Sequence, residues 1–243
     1  MLSSDGREAT GDIEDLELFA MVESGARTAL CERRSSARVY EAGSAKVFME
    51  FIRPPQSLVI FGARHDALPL TEFAKALSWQ ASLIDSRPAY ATAERFSCAD
   101  RIISARPEDA CEHLLPEVSE SAAVVVMTHN YLHDLEVLRK LLPSPVKYIG
   151  LLGPRKRAGK LLSQLAADGA TLTGEQLARL YAPVGLDIGA ETSEQIALAI
   201  VAEIQAALTG RYGGMLKSRE RPIHREAEDS SPSGRSVANV YAS

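Results

Sequence analysis

Cysteine is scarce in this chain. Cys31, Cys98 and Cys111 are an odd number, lie far apart and include no Cys-x-x-Cys spacing. That argues against a structural zinc site and leaves reduced thiols in a cytoplasmic protein as the expectation. Positive charge is not in excess either. The net charge is -5 and the pI is near 5.6, the opposite of the basic footprint that nucleic-acid binding requires. Long hydrophobic runs are missing. The longest, Ala122 to Met127, falls far short of the roughly 20 residues that span a membrane. The N-terminal stretch, with Asp5, Glu8 and Asp12, lacks the basic and apolar regions of a secretory signal. Neither a Gly-x-Ser-x-Gly elbow nor a Walker A loop is present. No base–nucleophile pair stands out, so no residue is assigned a catalytic role.

What is there is ordinary core-forming material. Hydrophobic residues make up 46% and charged residues 24% of 243, enough for one large or two small domains. Apolar positions at 13, 16, 18, 19 and 22 predict a short helix over Ile13 to Val22, stopped by Ser24-Gly25. Ala37–Tyr40 and Lys46–Ile52 read as two strands of a hairpin around Glu41 to Ala45, and Arg53-Pro54-Pro55 marks a boundary. From Leu58 the pattern changes to strand alternating with helix. Strands are expected at Leu58–Phe61, Ala81–Ile84, Arg101–Ile103, Ala123–Met127 and Val146–Ile149. Helices are expected at Asp66–Leu77, Ala89–Arg95, Pro107–Leu115, Leu132–Leu141, Arg155–Ala167, Gly174–Leu180 and Ser193–Leu208. The last opens with a Thr192/Gln195 capping box. This alternation predicts an α/β fold: a Rossmann-like, doubly wound parallel sheet, preceded by a small N-terminal helix and hairpin. Residues 1–55 form the N-terminal segment, 56–214 the Rossmann domain and 215–243 a disordered tail, with residues 1–12 disordered as well.

In such a sheet ligands bind beyond the carboxyl ends of the strands, where the strand order reverses. With the order 3-2-1-4-5 the loops that meet there are Gly62-Ala-Arg-His-Asp66 and Thr128-His-Asn-Tyr-Leu-His-Asp134. Gly62, Arg64 and His65 on one side, and Thr128, His129 and Asn130 on the other, are the candidate lining. His129, His133 and Asp134 are a weaker alternative as a metal set. Asp85 ends the second strand 23 residues after Gly62, where a dinucleotide site places the acid that grips a ribose. Arg87 follows it. The competing reading is an Asx-type turn. Gly150-Leu-Leu-Gly153, then Arg155 and Lys156, combine a helix start with positive charge suited to phosphate, or form a solvated basic helix end. Gly185, Asp187 and Glu191 belong to a polar loop before the last helix.

These blocks, in this order, resemble a known family. Val59-Ile-Phe-Gly-Ala-x-His65, Asp85-x-Arg87, Met127-Thr-His129, Tyr148-Ile-Gly-Leu-Leu-Gly153 with Arg155-Lys156, and Pro183 to Glu191 are similar to the C-terminal Rossmann domain of the XdhC/CoxI family. Its members are accessory proteins of xanthine dehydrogenase and related molybdenum hydroxylases. The resemblance covers about Phe48 to Arg211. It implies binding of the molybdenum cofactor (molybdopterin), its sulfuration with a cysteine desulfurase, delivery to the apo-hydroxylase, and a homodimer in the cytoplasm. It implies a chaperone rather than a turnover enzyme. Two departures matter. The family's Gly-Ala-Gly-His is here Gly62-Ala63-Arg64-His65, and Arg64 either crowds a phosphate or binds it bidentately. The family's N-terminal Gly-Ser-x-Pro-Arg stretch and glycine-rich segment ending in Cys are not found here, so residues 1–55 are expected to be the linker end of that domain. The rival readings are an NAD(P)-dependent oxidoreductase and a ligand-free scaffold.

Overall fold

A computed structural model describes residues 2, 10–11, 13–40, 45–114 and 122–218. The expected turn of the hairpin (41–44), most of the N-terminal dozen and the tail beyond 218 lie outside the described residues.

The N-terminal unit is α1 (Leu16–Glu32) followed by β1 (Ser36–Tyr40) and β2 (Ala45–Met49), the strands pairing antiparallel from Ser36↔Met49 to Tyr40↔Ala45. Asp15 caps α1 by accepting from the Glu17 and Leu18 N–H groups. The helix runs through Ser24-Gly25, contrary to the expected stop. Gly25 is buried where Tyr40 and Met49 press on the helix, and a Cβ there would meet the Tyr40 hydroxyl at 2.4 Å. Its glycine serves close packing, and the helix ends at Arg33, in the left-handed region at φ 52.

The remaining elements are β3 (Ser57–Phe61), α2 (Ala67–Ala76), β4 (Gln80–Asp85), β5 (Arg101–Ser104), α3 (Pro107–Leu114), β6 (Ala123–Val126), α4 (Tyr131–Leu141), β7 (Tyr148–Leu151), α5 (Arg155–Ala167), α6 (Gly174–Ala178), β8 (Leu180–Tyr181) and α7 (Ser193–Leu208). Six strands make one sheet in the order β5-β4-β3-β6-β7-β8, every pair parallel. This is the expected Rossmann-like α/β fold. Alternation along the central strands feeds two cores. Leu58, Ile60, Ala123 and Val125 pack with Leu70 of α2 and Ile200 and Ile204 of α7. Val59, Phe61, Val124 and Val126 pack with Leu138 of α4 and Leu161 of α5. A strand covered on both faces has no polar alternation, which is why Ala123–Val126 is wholly buried. Each buried Val, Ile, Leu or Phe here contributes about 1.5–3 kcal/mol by leaving water.

Three further elements differ from expectation. Ala89–Arg95 forms turns, not a helix. The Tyr90 carbonyl accepts from Arg95 Nη1 at 2.8 Å. β7 begins at Tyr148 rather than Val146, because the carbonyls of Leu142, Ser144 and Val146 all accept from the Arg179 guanidinium. The expected end of α6 is instead a sixth strand, β8, which pairs Leu180 with Ile149 and Tyr181 with Gly150.

Candidate functional site

β3 and β6 are neighbours whose following helices lie on opposite faces, so the loops after them part and leave a crevice. Gly62 brings the two loops together. It sits at φ 120, and a Cβ would meet the Met127 carbonyl oxygen at 2.3 Å, so only glycine fits. Its N–H donates to the Ile84 carbonyl at 2.8 Å. The crevice has a volume of about 380 Å³ and is lined by Arg64, Asp85, Ser86, Arg87, Pro107, Thr128, His129, Asn130 and His133.

Asp85 is 4% exposed and is fully used. Oδ2 accepts from the Ala63 N–H at 2.7 Å and Arg87 Nη2 at 2.7 Å. Oδ1 accepts from Arg87 N at 2.9 Å and Nε at 2.8 Å. A carboxylate offers about four acceptor positions, so none is left for a ribose hydroxyl. Burial alone would raise this carboxyl. The bonds from the Arg87 side chain and the Ala63 and Arg87 N–H groups outweigh it and hold the group below its usual range. Arg87 in turn lies 4.3 Å over the Tyr90 ring.

On the opposite wall Asn130 caps α4, its side-chain oxygen accepting from Leu132 N and His133 N at 3.0 and 3.3 Å. The Thr128 hydroxyl donates to Asp134 Oδ1 at 2.5 Å, and Asp134, 1% exposed, also takes Arg157 Nε at 3.2 Å. Asp134 and Arg157 therefore tie α4 to α5. Asp134 is committed to those partners, so the considered set of His129, His133 and Asp134 is not assembled for a metal. Among the described residues no group of three or more His, Cys, Asp or Glu is placed to hold one. His129 has φ 58, an uncommon conformation for a residue with a side chain. Its Nε2 lies 3.2 Å from Asp66 Oδ2, and Asp66 Oδ1 accepts from Ser193 Oγ at 3.1 Å.

Arg64, Asp85, Arg87, Thr128, His129 and Asn130 thus meet in one crevice, joined by His133 of the alternative metal set. The other residues singled out in the sequence do not line it. Gly62 supports it from beneath. His65 faces the start of α7, where it helps lower the Glu194 carboxyl, behind the larger effects of Glu194's own N–H and the Thr192 side chain. Gly150 lies within β7, its α-carbon covered by Val184. Gly153 makes the turn into α5 at φ 128. Arg155 is exposed at the first position of α5, and Lys156 lines a separate open groove with Tyr131 and Lys160. The Gly185 N–H donates to Glu203 Oε1 at 3.0 Å, while Asp187 and Glu191 are exposed in the loop before α7. Sequence reading missed Ser86 and Pro107, whose place in the crevice depends on the strand order β5-β4-β3. No local pattern signals that.

Fold and crevice together define a Rossmann-type domain with an open crevice at the switch point of its sheet. Within that class, the sequence matches the XdhC Rossmann domain family over residues 58–204, and the chain belongs to that family. The chain is also similar to two curated proteins. A Bacillus subtilis (strain 168) protein, described as a probable xanthine dehydrogenase subunit, is 37% identical over 161 residues, 66% of this chain and 46% of that protein. The uncharacterized protein YqeB of Escherichia coli (strain K12) is 30% identical over 180 residues, 74% and 32% respectively. The chain therefore spans under half the length of these relatives. A crystal structure of a Bacillus halodurans protein described as a xanthine dehydrogenase superposes with a TM-score of 0.56 at 21% identity, covering 84% of this chain and 88% of that one. That likeness concerns the fold.

Proposed function

We propose that the crevice holds the phosphate-bearing end of the molybdenum cofactor, and that the chain is an accessory protein in the maturation of xanthine dehydrogenase-type molybdenum hydroxylases. In this reading it receives molybdopterin, sulfurated with the help of a cysteine desulfurase, and passes it to the apo-hydroxylase. The observation that carries the reading is Arg64. It is exposed at the crevice and its guanidinium has no hydrogen-bond or ion-pair partner among the described residues, so this planar fork is free to take a phosphate bidentately. The donor set around it fits the same group. The Asn130 amide and the imidazoles of His129 and His133 offer polar contacts, and Asp85, neutralised by Arg87, no longer repels an anion. Family membership and the naming of the B. subtilis relative for xanthine dehydrogenase support the hydroxylase context. The cofactor supplies the molybdenum and sulfur chemistry. The protein's part is to hold the pterin's anionic end and release it.

Anaerobic titration of the purified chain with molybdopterin tests this. Saturable binding is expected, weakened roughly tenfold to a hundredfold by Arg64→Ala, the loss of one charge-assisted bidentate contact. No binding by the wild-type chain overturns the proposal. Tighter binding by Arg64→Gly would show that Arg64 is an obstruction. Parallel titration with NADH and NADPH addresses the dinucleotide rival, for which saturation of Asp85 predicts no saturable binding.

A further inference from the structure

The two faces of the N-terminal hairpin differ in character. Cross-strand register sets Ala37 opposite Phe48 and Val39 opposite Lys46, so these four share one face. The other face carries Tyr40 and Met49 and is covered by α1 at Gly25. No described residue covers the first face: Phe48 is 68% and Val39 57% exposed. A two-stranded ribbon is marginal by itself, and a large aromatic side chain left in water at its centre adds nothing to its stability.

Along β2 the outward positions read Lys46, Phe48 and, just past the strand, Glu50, all exposed. Neither the Lys46 nor the Glu50 side chain has a hydrogen-bond or ion-pair partner among the described residues. The order cation, aromatic, anion is its own complement when reversed. Two hairpins packed face to face about a two-fold axis through Phe48 set Lys46 of each against Glu50 of the other, with Phe48 and Val39 buried between them. A partner of unrelated sequence would have no need of this antisymmetry.

We propose that this face docks a second copy of the chain, through an isologous contact centred on Phe48 with reciprocal Lys46–Glu50 pairs. The contact lies on the hairpin and does not rest on the cofactor reading.

Sedimentation of the full chain over a concentration series tests it, with thermal melts as the check on folding. A dimer is expected. Phe48→Asp should weaken it by roughly a hundredfold, as for a central aromatic anchor. Lys46→Glu, which sets like charges against each other twice, should weaken it roughly tenfold. Combining Lys46→Glu with Glu50→Lys restores the pairs in swapped order and should return the affinity to within roughly threefold of wild type. All three side chains are exposed, so the charge variants stay informative even if Phe48→Asp folds poorly. A chain monomeric at every concentration overturns the proposal. So does a dimer indifferent to Phe48→Asp, or a charge swap that fails to rescue.

Discussion

Asp85 shows at residue scale how a position predicted to bind ligand can be taken by its own fold. Its two oxygens receive four donors, and Arg87 closes over it. Asp85→Asn removes the charge from a buried hydrogen-bonded pair and should cost about 2–4 kcal/mol in urea unfolding. The acid limb follows from the same shift. The folded-state value lies below the ordinary 3.8, so the carboxylate's contribution to stability is complete above about pH 5. It is lost as pH falls from 3.8 through the depressed value. Stability measured from pH 5 downward should therefore fall more steeply in the wild type than in Asp85→Asn. Beside Asp85, Tyr90 lies under the guanidinium of Arg87 at 4.3 Å and near that of Arg95 at 5.4 Å. Arg95 also donates to the Ala63 carbonyl at 3.3 Å. Ala63, just before Arg64, is thus gripped at both ends, its N–H by Asp85 and its carbonyl by Arg95. The acid and the Arg64 position were legible from spacing, whereas this clamp was not, since Arg95 reaches back 32 residues.

Among the elements, α1 carries the clearest conflict between local preference and packing. Glycine inside a helix costs about 1 kcal/mol relative to alanine, yet the Tyr40 hydroxyl and Met49 sulfur occupy the space an alanine methyl would need at Gly25. That hydroxyl is also buried with no hydrogen-bond partner among the described residues, a further cost. Gly25→Ala alone should destabilise the chain. Tyr40→Phe, which removes both the orphan hydroxyl and the obstructing atom, should be neutral or stabilising and should relieve much of the Gly25→Ala penalty. Thermal melts of the two single variants and the double variant read this coupling. α7, by contrast, was legible to the residue. Its apolar repeat and its Thr192/Gln195 box are both local, and the box is formed.

For the whole molecule, the joint that matters is Asp66. It stands before α2 and links His129 after β6 with Ser193 at the start of α7, so one carboxylate joins three segments around the crevice. Asp66→Ala removes partly exposed contacts and should cost only about 1 kcal/mol overall. Amide exchange near His129 and Ser193 should nonetheless rise, because the loops lose their shared anchor. An exchange pattern unchanged at both places would show that packing alone holds them.

The sequence by itself determined what depends on near neighbours along the chain: the short apolar strands, the fourfold repeat of α7, the glycine at the end of β3 and, through the alternation of elements, the parallel sheet. It also carried the family resemblance, since ordered short blocks survive without knowledge of contacts. Tertiary structure alone decided which candidates meet. Arg64, Asp85, Arg87, Thr128, His129 and Asn130 converge because β3 lies between β4 and β6. Lys156, Asp187 and Glu191 were equally attractive as residues but are carried elsewhere by their elements. The same holds for β8, where a strand formed at the end of a helical pattern because the ladder to β7 was available. Local propensity sets what a segment can be. Partners distant in sequence, by satisfying or occupying its hydrogen bonds, set what it becomes.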